Sequence, residues 1–253
     1  MNKPKNFITT RGSLLGKVFD TKKSGKIQVV DYCSSTDVTV MFLDTGFKTK
    51  TYLSLIKSGN VKDITLPHVL GVGYTEGLPT RCKDGKLILE YSYWQSMLAR
   101  CYCKSKSDGT CSVSDNFLRY SIFKNWCQNQ VGFGNVGWHL DKDILVKGNK
   151  VYSEDTCCFV PVEINCIFGS NKKVRGNNPI GVYYEEDRGL FQVHIRVGGV
   201  RKFLGRFTTE SSAFSAYKLA KENHIRTVAK KYKDVIDSRV YKALMDWEVS
   251  IDD

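Results

Sequence analysis

The chain has no run approaching the ~18 uninterrupted apolar residues that a membrane-spanning helix needs, so no membrane partner is expected. Its start, "MNKPKNFITT", lacks the apolar stretch of a secretory leader. Proline is scarce (five) and histidine scarcer (four), and there is no internal repeat or low-complexity tract, which excludes solenoid, collagen-like and proline-rich classes. Nine cysteines fall at irregular spacing with no paired C-x-x-C. An odd, irregular set argues against a disulfide framework, and reduced thiols inside apolar patterns behave as small hydrophobes. Cys101, Cys103 and Cys111, or Cys157 and Cys158, offer soft ligands, yet zinc is disfavoured for want of a ligand pattern. The expected setting is cytoplasmic.

Acidic residues are also in deficit. Thirty-eight Lys and Arg against 26 Asp and Glu leave a net charge of +12, divided as +6 over 1–90, +1 over 91–170 and +5 over 171–253. Two basic segments flanking a near-neutral middle suit a polyanion held from both sides, and nucleic acid is the expected partner. With 42% hydrophobic and 12% aromatic residues the chain is globular, not disordered.

Three segments follow from the patterning. Residues 1–78 form a small β-rich domain in which 13–66 read as strands, "KIQVVDY", "DVTVMFLD" and "KTKTYLSL", with turns at Ser34, Ser35, Thr45 and Gly46, a small β-barrel or sandwich. "GVGYTEGLPTRCKDGK" reads as a connection. Within 88–170, residues 91–103 place Trp94, Met97, Leu98 and Cys101 on one helical face. A second helix over 116–129 carries Phe117, Ile122, Phe123, Trp126 and Cys127. A strand over 139–145, a turn at Gly148-Asn149, a strand over 157–160 and a helix opening near Pro161 come next. After the polar linker "GSNKKVRGNNP", residues 178–253 give three strands and a helix. The fold class expected is α+β: an N-terminal small β domain, a central helical and ββα domain, and a C-terminal three-stranded antiparallel sheet packed on a helix.

The C-terminal segment is the most legible. Gly198-Gly199 between two valines marks a two-residue hairpin, because primed turns need positive φ. That register sets Arg196 against Arg201 and His194 against Phe203. Side chains alternate along strands, so Val193, Ile195 and Leu204 share one face, and Gln192, His194, Arg196, Arg201 and Phe203 the other. Thr208 or Thr209 caps a helix whose Ala213, Ala216, Tyr217 and Ala220 cover the apolar face. The second face stays basic and aromatic, a composition suited to phosphates and to guanine edges in the major groove.

"GVYYEEDRGLFQVHIRVGGVRKFLGRFTTESSAFSAY" resembles the ethylene-response-factor (AP-two) type of DNA-binding domain: Gly181-Val182, the strand ending Ile195-Arg196, the Leu204-Gly205-x-Phe207 step and the alanine-rich helix. The resemblance implies that the sheet docks in the major groove of double-stranded DNA through Tyr183, His194, Arg196, Arg201 and Phe203. The linker's Lys172, Lys173 and Arg175 join them as expected DNA contacts. The first strand, "YYEED", departs from the family's arginine-rich one.

"WHLDKDILVKGNKVYSEDTCCFVPVEIN", behind "YSYWQSMLARCY" and "FKNW", is similar to the ββα-metal core of phage-type HNH, homing-like endonucleases, many of which carry an AP-two-like domain behind the nuclease. The resemblance implies a DNA endonuclease with Asp141 and Asn165 as ligands of Mg2+ or Mn2+, and hydrolysis of phosphodiester bonds, most simply as nicks. It would place the protein in a bacterial host's cytoplasm if phage-encoded. The family's histidine base is here Lys142, an amine protonated near neutral pH. The family's central Asn falls near Thr156, with Asn149 the nearest alternative. Three readings stay open. Asp141 and Asn165 bind the metal while His139, Asp143 or metal-bound hydroxide serves as base; or the site is inactive and the chain is a non-catalytic DNA-binding regulator; or Asp141 and Asp143 only anchor turns and pair with Lys142 and Lys147. Target site and oligomeric state are left open.

Overall fold

The computed structural model describes residues 14–105, 109–169 and 178–253. It is a mixed α+β chain in two compact units. One comprises residues 1–106 and 118–122, the other residues 107–117 and 123–253. The division runs through the segment 88–170.

In the first unit, β1 (Val18–Asp20), β2 (Lys26–Ser34), β3 (Asp37–Phe42) and β4 (Lys48–Thr51) pair antiparallel in sequence order. Alternation puts Ile27, Val29, Val38, Val40 and Phe42 on one face, all essentially inaccessible to solvent, and Ile56 and Val61 complete that cluster. Barrel or sandwich was the expectation; a single open sheet is found. The reason lies in "KTKTYLSL", whose second half leaves the sheet as the short helix α1 (Leu53–Lys57) and brings Ile56 under the apolar face. The supposed connection after residue 70 is tied down as well: Tyr74 donates to the Leu118 carbonyl and Tyr120 donates back to Tyr74. Helix α2 (Leu89–Tyr102) buries Trp94, Met97, Leu98 and Cys101, the face expected from its spacing.

The second unit opens with β5 (Ser112–Val113). Helix α3 (Tyr120–Gln128) begins in the first unit and ends in the second. It is shorter than expected, because Phe117 lies before it, and Ile122 is 37% exposed and so no part of the buried stripe. β6 (Trp138–Asp141) pairs antiparallel with β8 (Cys158–Pro161), and α4 (Val162–Ile167) packs on both. The intervening β7 (Val151–Tyr152) joins β5 in parallel instead of extending the hairpin. β9 (Val182–Glu185), β10 (Leu190–Val197) and β11 (Val200–Phe207) form an antiparallel sheet of order β11-β10-β9, packed on α5 (Glu210–Lys231). Thr209 is the α5 cap, accepting from the Ser212 amide at 3.2 Å.

A close approach at the sheet–helix junction fixes the geometry there. Gly181 has φ +77°, and a Cβ on it would lie 2.1 Å from the Tyr217 ring. Only glycine allows β9 to begin so close to α5. One continuous apolar cluster then joins Ile144, Cys158, Val160 and Ile164 of the ββα stretch to Val182, Val193, Ile195, Ala213 and Tyr217, and on to Ile225, Val240 and Leu244. The last two belong to α6 (Ser238–Met245). The ββα stretch and the sheet–helix layer therefore share a core within this unit. No helix among the described residues is long and apolar enough to cross a membrane.

Candidate functional site

The outer face of β9–β11 is built by register. Arg196 stands opposite Arg201 and His194 opposite Phe203, as the Gly198-Gly199 turn requires. Toward the far end the ladder shifts: Val193 pairs with Gly205, so Leu204 is an extra residue, and Gly205 takes φ +140°. A bulge reverses the facing of every residue beyond it. Strict alternation from Phe203 would send Arg206 inward. The bulge turns it outward opposite Gln192, and Phe207 inward against the core. Arg206 was missed in the sequence, and its signal was Gly205, a glycine inside an otherwise regular strand.

The face so formed is a stacked array. Tyr183 and Phe203 are 44% and 52% exposed, unusual for rings on a sheet that already has a buried side. The Arg201 guanidinium lies 4.9 Å from the Tyr183 ring centre and Arg206 lies 5.3 Å from that of Phe203. The His194 ring sits between them, 5.9 Å from Tyr183 and 5.3 Å from Phe203, with Nε2 3.2 Å from the Gln192 amide oxygen. Burial, then the positive charges of Arg201 and Arg206, lower the His194 pKa, so this imidazole is neutral at pH 7. Its Nδ1 is buried without a hydrogen-bond partner. The Glu185 carboxylate accepts from Arg206 Nε at 2.7 Å and Nη2 at 3.3 Å, which holds Glu185 below the usual carboxylate range. The acid-rich first strand thus fixes one arginine and leaves Arg196 and Arg201 outward. Lys172, Lys173 and Arg175 lie outside the described residues.

The ββα stretch is organised around Asp141. Its Oδ1 accepts from the amides of Asp143 at 2.7 Å and Ile144 at 2.8 Å. This Asx-type turn ends β6, so the strand stops at Asp141 and not at residue 145, and Asp143 lies in the turn instead of on the same strand face. Burial pushes the Asp141 carboxyl above its usual range, against the two amide bonds. Asp141 has no ion-pair partner among the described residues. Lys142 turns instead to Asp143, and also donates to the Asn149 carbonyl at 3.2 Å. Burial favours the neutral amine of Lys142, but the Asp143 carboxylate prevails and holds its pKa above the ordinary value. Lys142 is a cation here and takes no proton. The expected Lys147–acid pair is also different: Lys147 meets Asp253, 2.8 Å away.

The loop that follows is stapled by Asn149, whose Nδ2 donates to the carbonyls of Lys142 at 2.8 Å and Val151 at 2.7 Å while Oδ1 accepts from the Val151 amide. Thr156 Oγ1 donates to the same Val151 carbonyl. Pro161, expected in the first turn of a helix, is the last residue of β8 and the N-cap of α4. On α4, Asn165 reaches His139 of β6: Asn165 Nδ2 and His139 Nδ1 are 3.2 Å apart. This pairing links two roles. If Asn165 donates Nδ2–H to His139, its Oδ1 is left for a cation and His139 carries its proton on Nε2, as a donor. If Asn165 presents Oδ1 to His139 Nδ1–H, Nε2 becomes the basic nitrogen and the amide oxygen is used. Ligand and base exclude one another.

Among the described residues no three His, Cys, Asp or Glu side chains gather as a metal-binding group. The donors available at the ββα stretch are oxygens, the second Asp141 oxygen and the Asn165 amide oxygen. That set suits a hard cation that keeps most of its own water. A half-buried carboxylate with no direct ion pair among the described residues, on which Lys142 acts only at a distance, fits such a group. Cys157 and Cys158 lie in the interior, and burial pushes the Cys157 thiol up to about 12 and Cys158 upward as well, so neither is a thiolate at neutral pH.

Comparison with protein-family models, with curated proteins and with solved structures finds no match to this chain.

Proposed function

We propose that the chain is a double-stranded DNA-binding protein that holds the duplex on the outer face of β9–β11, and that the ββα stretch is a metal-dependent DNA endonuclease centre. The observation that carries the reading is the array of Tyr183, His194 and Phe203 interleaved with Arg201 and Arg206, beside Arg196, on a sheet whose other side is already covered. Arginine forks serve phosphates and guanine edges, and exposed rings supply apolar surface to bases or sugars. Neutral His194 adds polar readout without charge.

In the endonuclease centre Asp141 and Asn165 would hold Mg2+ or Mn2+, which supplies charge neutralisation at the scissile phosphate. The amides of Asp143 and Ile144 orient the Asp141 carboxylate. With Asn165 turned to the cation, His139 offers Nε2–H, a donor suited to the leaving oxygen. The cationic Lys142 stabilises negative charge and does not activate water; the attacking water, its acidity raised if it bound the cation, would release its proton to solvent. Hydrolysis at one such centre gives a nick.

Protonated Lys142 favours a second reading, a non-catalytic DNA-binding regulator on the same scaffold. Plasmid relaxation with magnesium or manganese separates the two, using the wild type, Asp141→Ala and Asn165→Ala. Nicking by the wild type and by neither variant supports hydrolysis; a wild type that binds duplex but never nicks supports the regulator. Loss of duplex affinity in Arg196→Ala/Arg201→Ala tests the binding face, and unchanged affinity would refute it.

A further inference from the structure

A second cationic feature borders the outer sheet face and shares Arg196 with it. A cavity of about 470 Å³ opens between α4, the tip of the β10–β11 hairpin and the middle of α5, lined in part by Arg196, Gly198, Gly199, Lys221 and His224. Lys221 is half-buried, and its one hydrogen bond to a described residue runs from Nζ to the Ile167 carbonyl at 2.6 Å. No carboxylate pairs with it among the described residues. Arg196 likewise has no ion pair there, and the His224 imidazole no hydrogen bond to a described residue. The single acid of the lining, Glu163, is already engaged by Lys231 and by Tyr232 Oη at 2.7 Å.

A sequestered ammonium without a counter-ion is costly unless an anion completes it. Two of the three N–H donors of Lys221 remain for such an anion. Burial lowers the pKa of Lys221, and burial together with Lys221 and Lys202 lowers that of His224 against the raising effect of Glu163. The Lys221 shift reflects burial alone, and in that of His224 the neighbouring lysines add to burial. The hairpin tip, with glycines at Gly198 and Gly199, leaves room at the entrance.

We infer that this cavity is a phosphate-binding site, in which Lys221, His224 and Arg196 take the oxygens of one phosphate group. The phosphate could be carried by a nucleic-acid backbone or be free in solution, and the chemistry of capture is the same. Occupation would favour the imidazolium form of His224, so binding of a phosphate of fixed charge, such as a backbone phosphodiester, takes up a proton and tightens as pH falls. The groups facing His224 that set this are Lys221, Lys202, Arg196 and Glu163, the last compensated by Lys231.

The test follows the His224 imidazole by NMR in the full chain while inorganic phosphate, and separately a short blunt DNA duplex, is added at about pH 6 and about pH 8, on either side of an ordinary imidazole. The expected result is a His224 titration moved to higher pH by either ligand, with tighter duplex binding at the lower pH, because backbone phosphodiesters, unlike inorganic phosphate, do not themselves take up a proton in this range. Lys221→Met should weaken it by roughly tenfold or more, the effect of one charged hydrogen bond, and Lys221→Arg should restore part of the affinity. Removal of a lone half-buried charge does not threaten the fold, which thermal melting verifies. Response to phosphate alone identifies a free anion, response to duplex alone identifies the DNA backbone, and response to both identifies a general phosphate site. No response to either, or a response indifferent to Lys221→Met, overturns the inference. Only the duplex arm rests on the DNA-binding reading. If Arg201→Ala/Arg206→Ala abolishes duplex binding while phosphate still moves His224, the two claims are shown to be separate; if the wild type ignores duplex but answers phosphate, the DNA reading alone fails.

Discussion

Gly181→Ala tests the close approach that seats the sheet on its helix. The new methyl would sit 2.1 Å from Cδ2 and 2.3 Å from Cε2 of Tyr217, a ring only 4% exposed and enclosed by the shared core. The φ of +77° adds a penalty of about 1–2 kcal/mol for an L side chain. Displacing a buried ring adds ~1–3 kcal/mol. Lower entropy of the unfolded chain returns about 0.4–1 kcal/mol. The net expectation is a loss of roughly 3 kcal/mol, a large share of the ~5–15 kcal/mol that holds a typical domain. Urea denaturation followed by tryptophan fluorescence measures it, and for a unit of this size the melting midpoint should fall by about 6–12 °C. Tyr217→Leu in the Gly181→Ala background should recover the steric part and leave the backbone part. A loss below about 0.5 kcal/mol, or a double variant with no coupling, would show that the junction yields freely and that Gly181 does not fix the sheet.

Three further outcomes are expected. The folded state raises the Asp141 pKa, so the cost of ionising it is absent below the ordinary carboxylate range and grows as pH rises; Asp141→Asn should therefore melt higher than the wild type at about pH 7, with the gap closing near pH ~4, and should lose any stabilisation by magnesium or manganese. A gap independent of pH would refute the assignment. For duplex DNA, Arg201→Ala/Arg206→Ala should flatten the plot of log affinity against log salt by roughly 0.9 for each phosphate no longer neutralised, and an unchanged slope in filter binding would count against the outer sheet face. Alkylation at about pH 8 should label the exposed Cys33, Cys82 and Cys166 in the native protein and spare Cys157 and Cys158 until it unfolds, as mass spectrometry of the digests would report.

The legible parts were those written in local chemistry. The Gly198-Gly199 turn fixed the pairing of β10 with β11, because few dipeptides accept two positive φ angles. The helical spacing of Trp94, Met97, Leu98 and Cys101 located a buried face, and Thr209 with Glu210 located a helix start. The extent of β6 was not legible: the stretch reads as strand to residue 145, but the Asp141 side chain competes for the backbone and closes a turn. Arg206 was invisible for a related reason, since a period-two reading has no place for one extra residue.

By itself the sequence determined the charge balance, the hairpin, the helix start to within one residue and the division of β10 into an apolar and a basic face, all of which depend on residues a few positions apart. Tertiary structure alone decided that the ββα stretch and the sheet–helix layer share a core, that Lys142 answers to Asp143, and that Asn165 meets His139. It also placed Lys221, His224 and Arg196 around one cavity, where no carboxylate among the described residues pairs with either Lys221 or Arg196. The shared core, the Asn165–His139 contact and the meeting of Arg196 with Lys221 join residues tens of positions apart, and which partner the neighbouring Lys142 and Asp143 take is set by burial, a property of the packed chain that no local pattern carries.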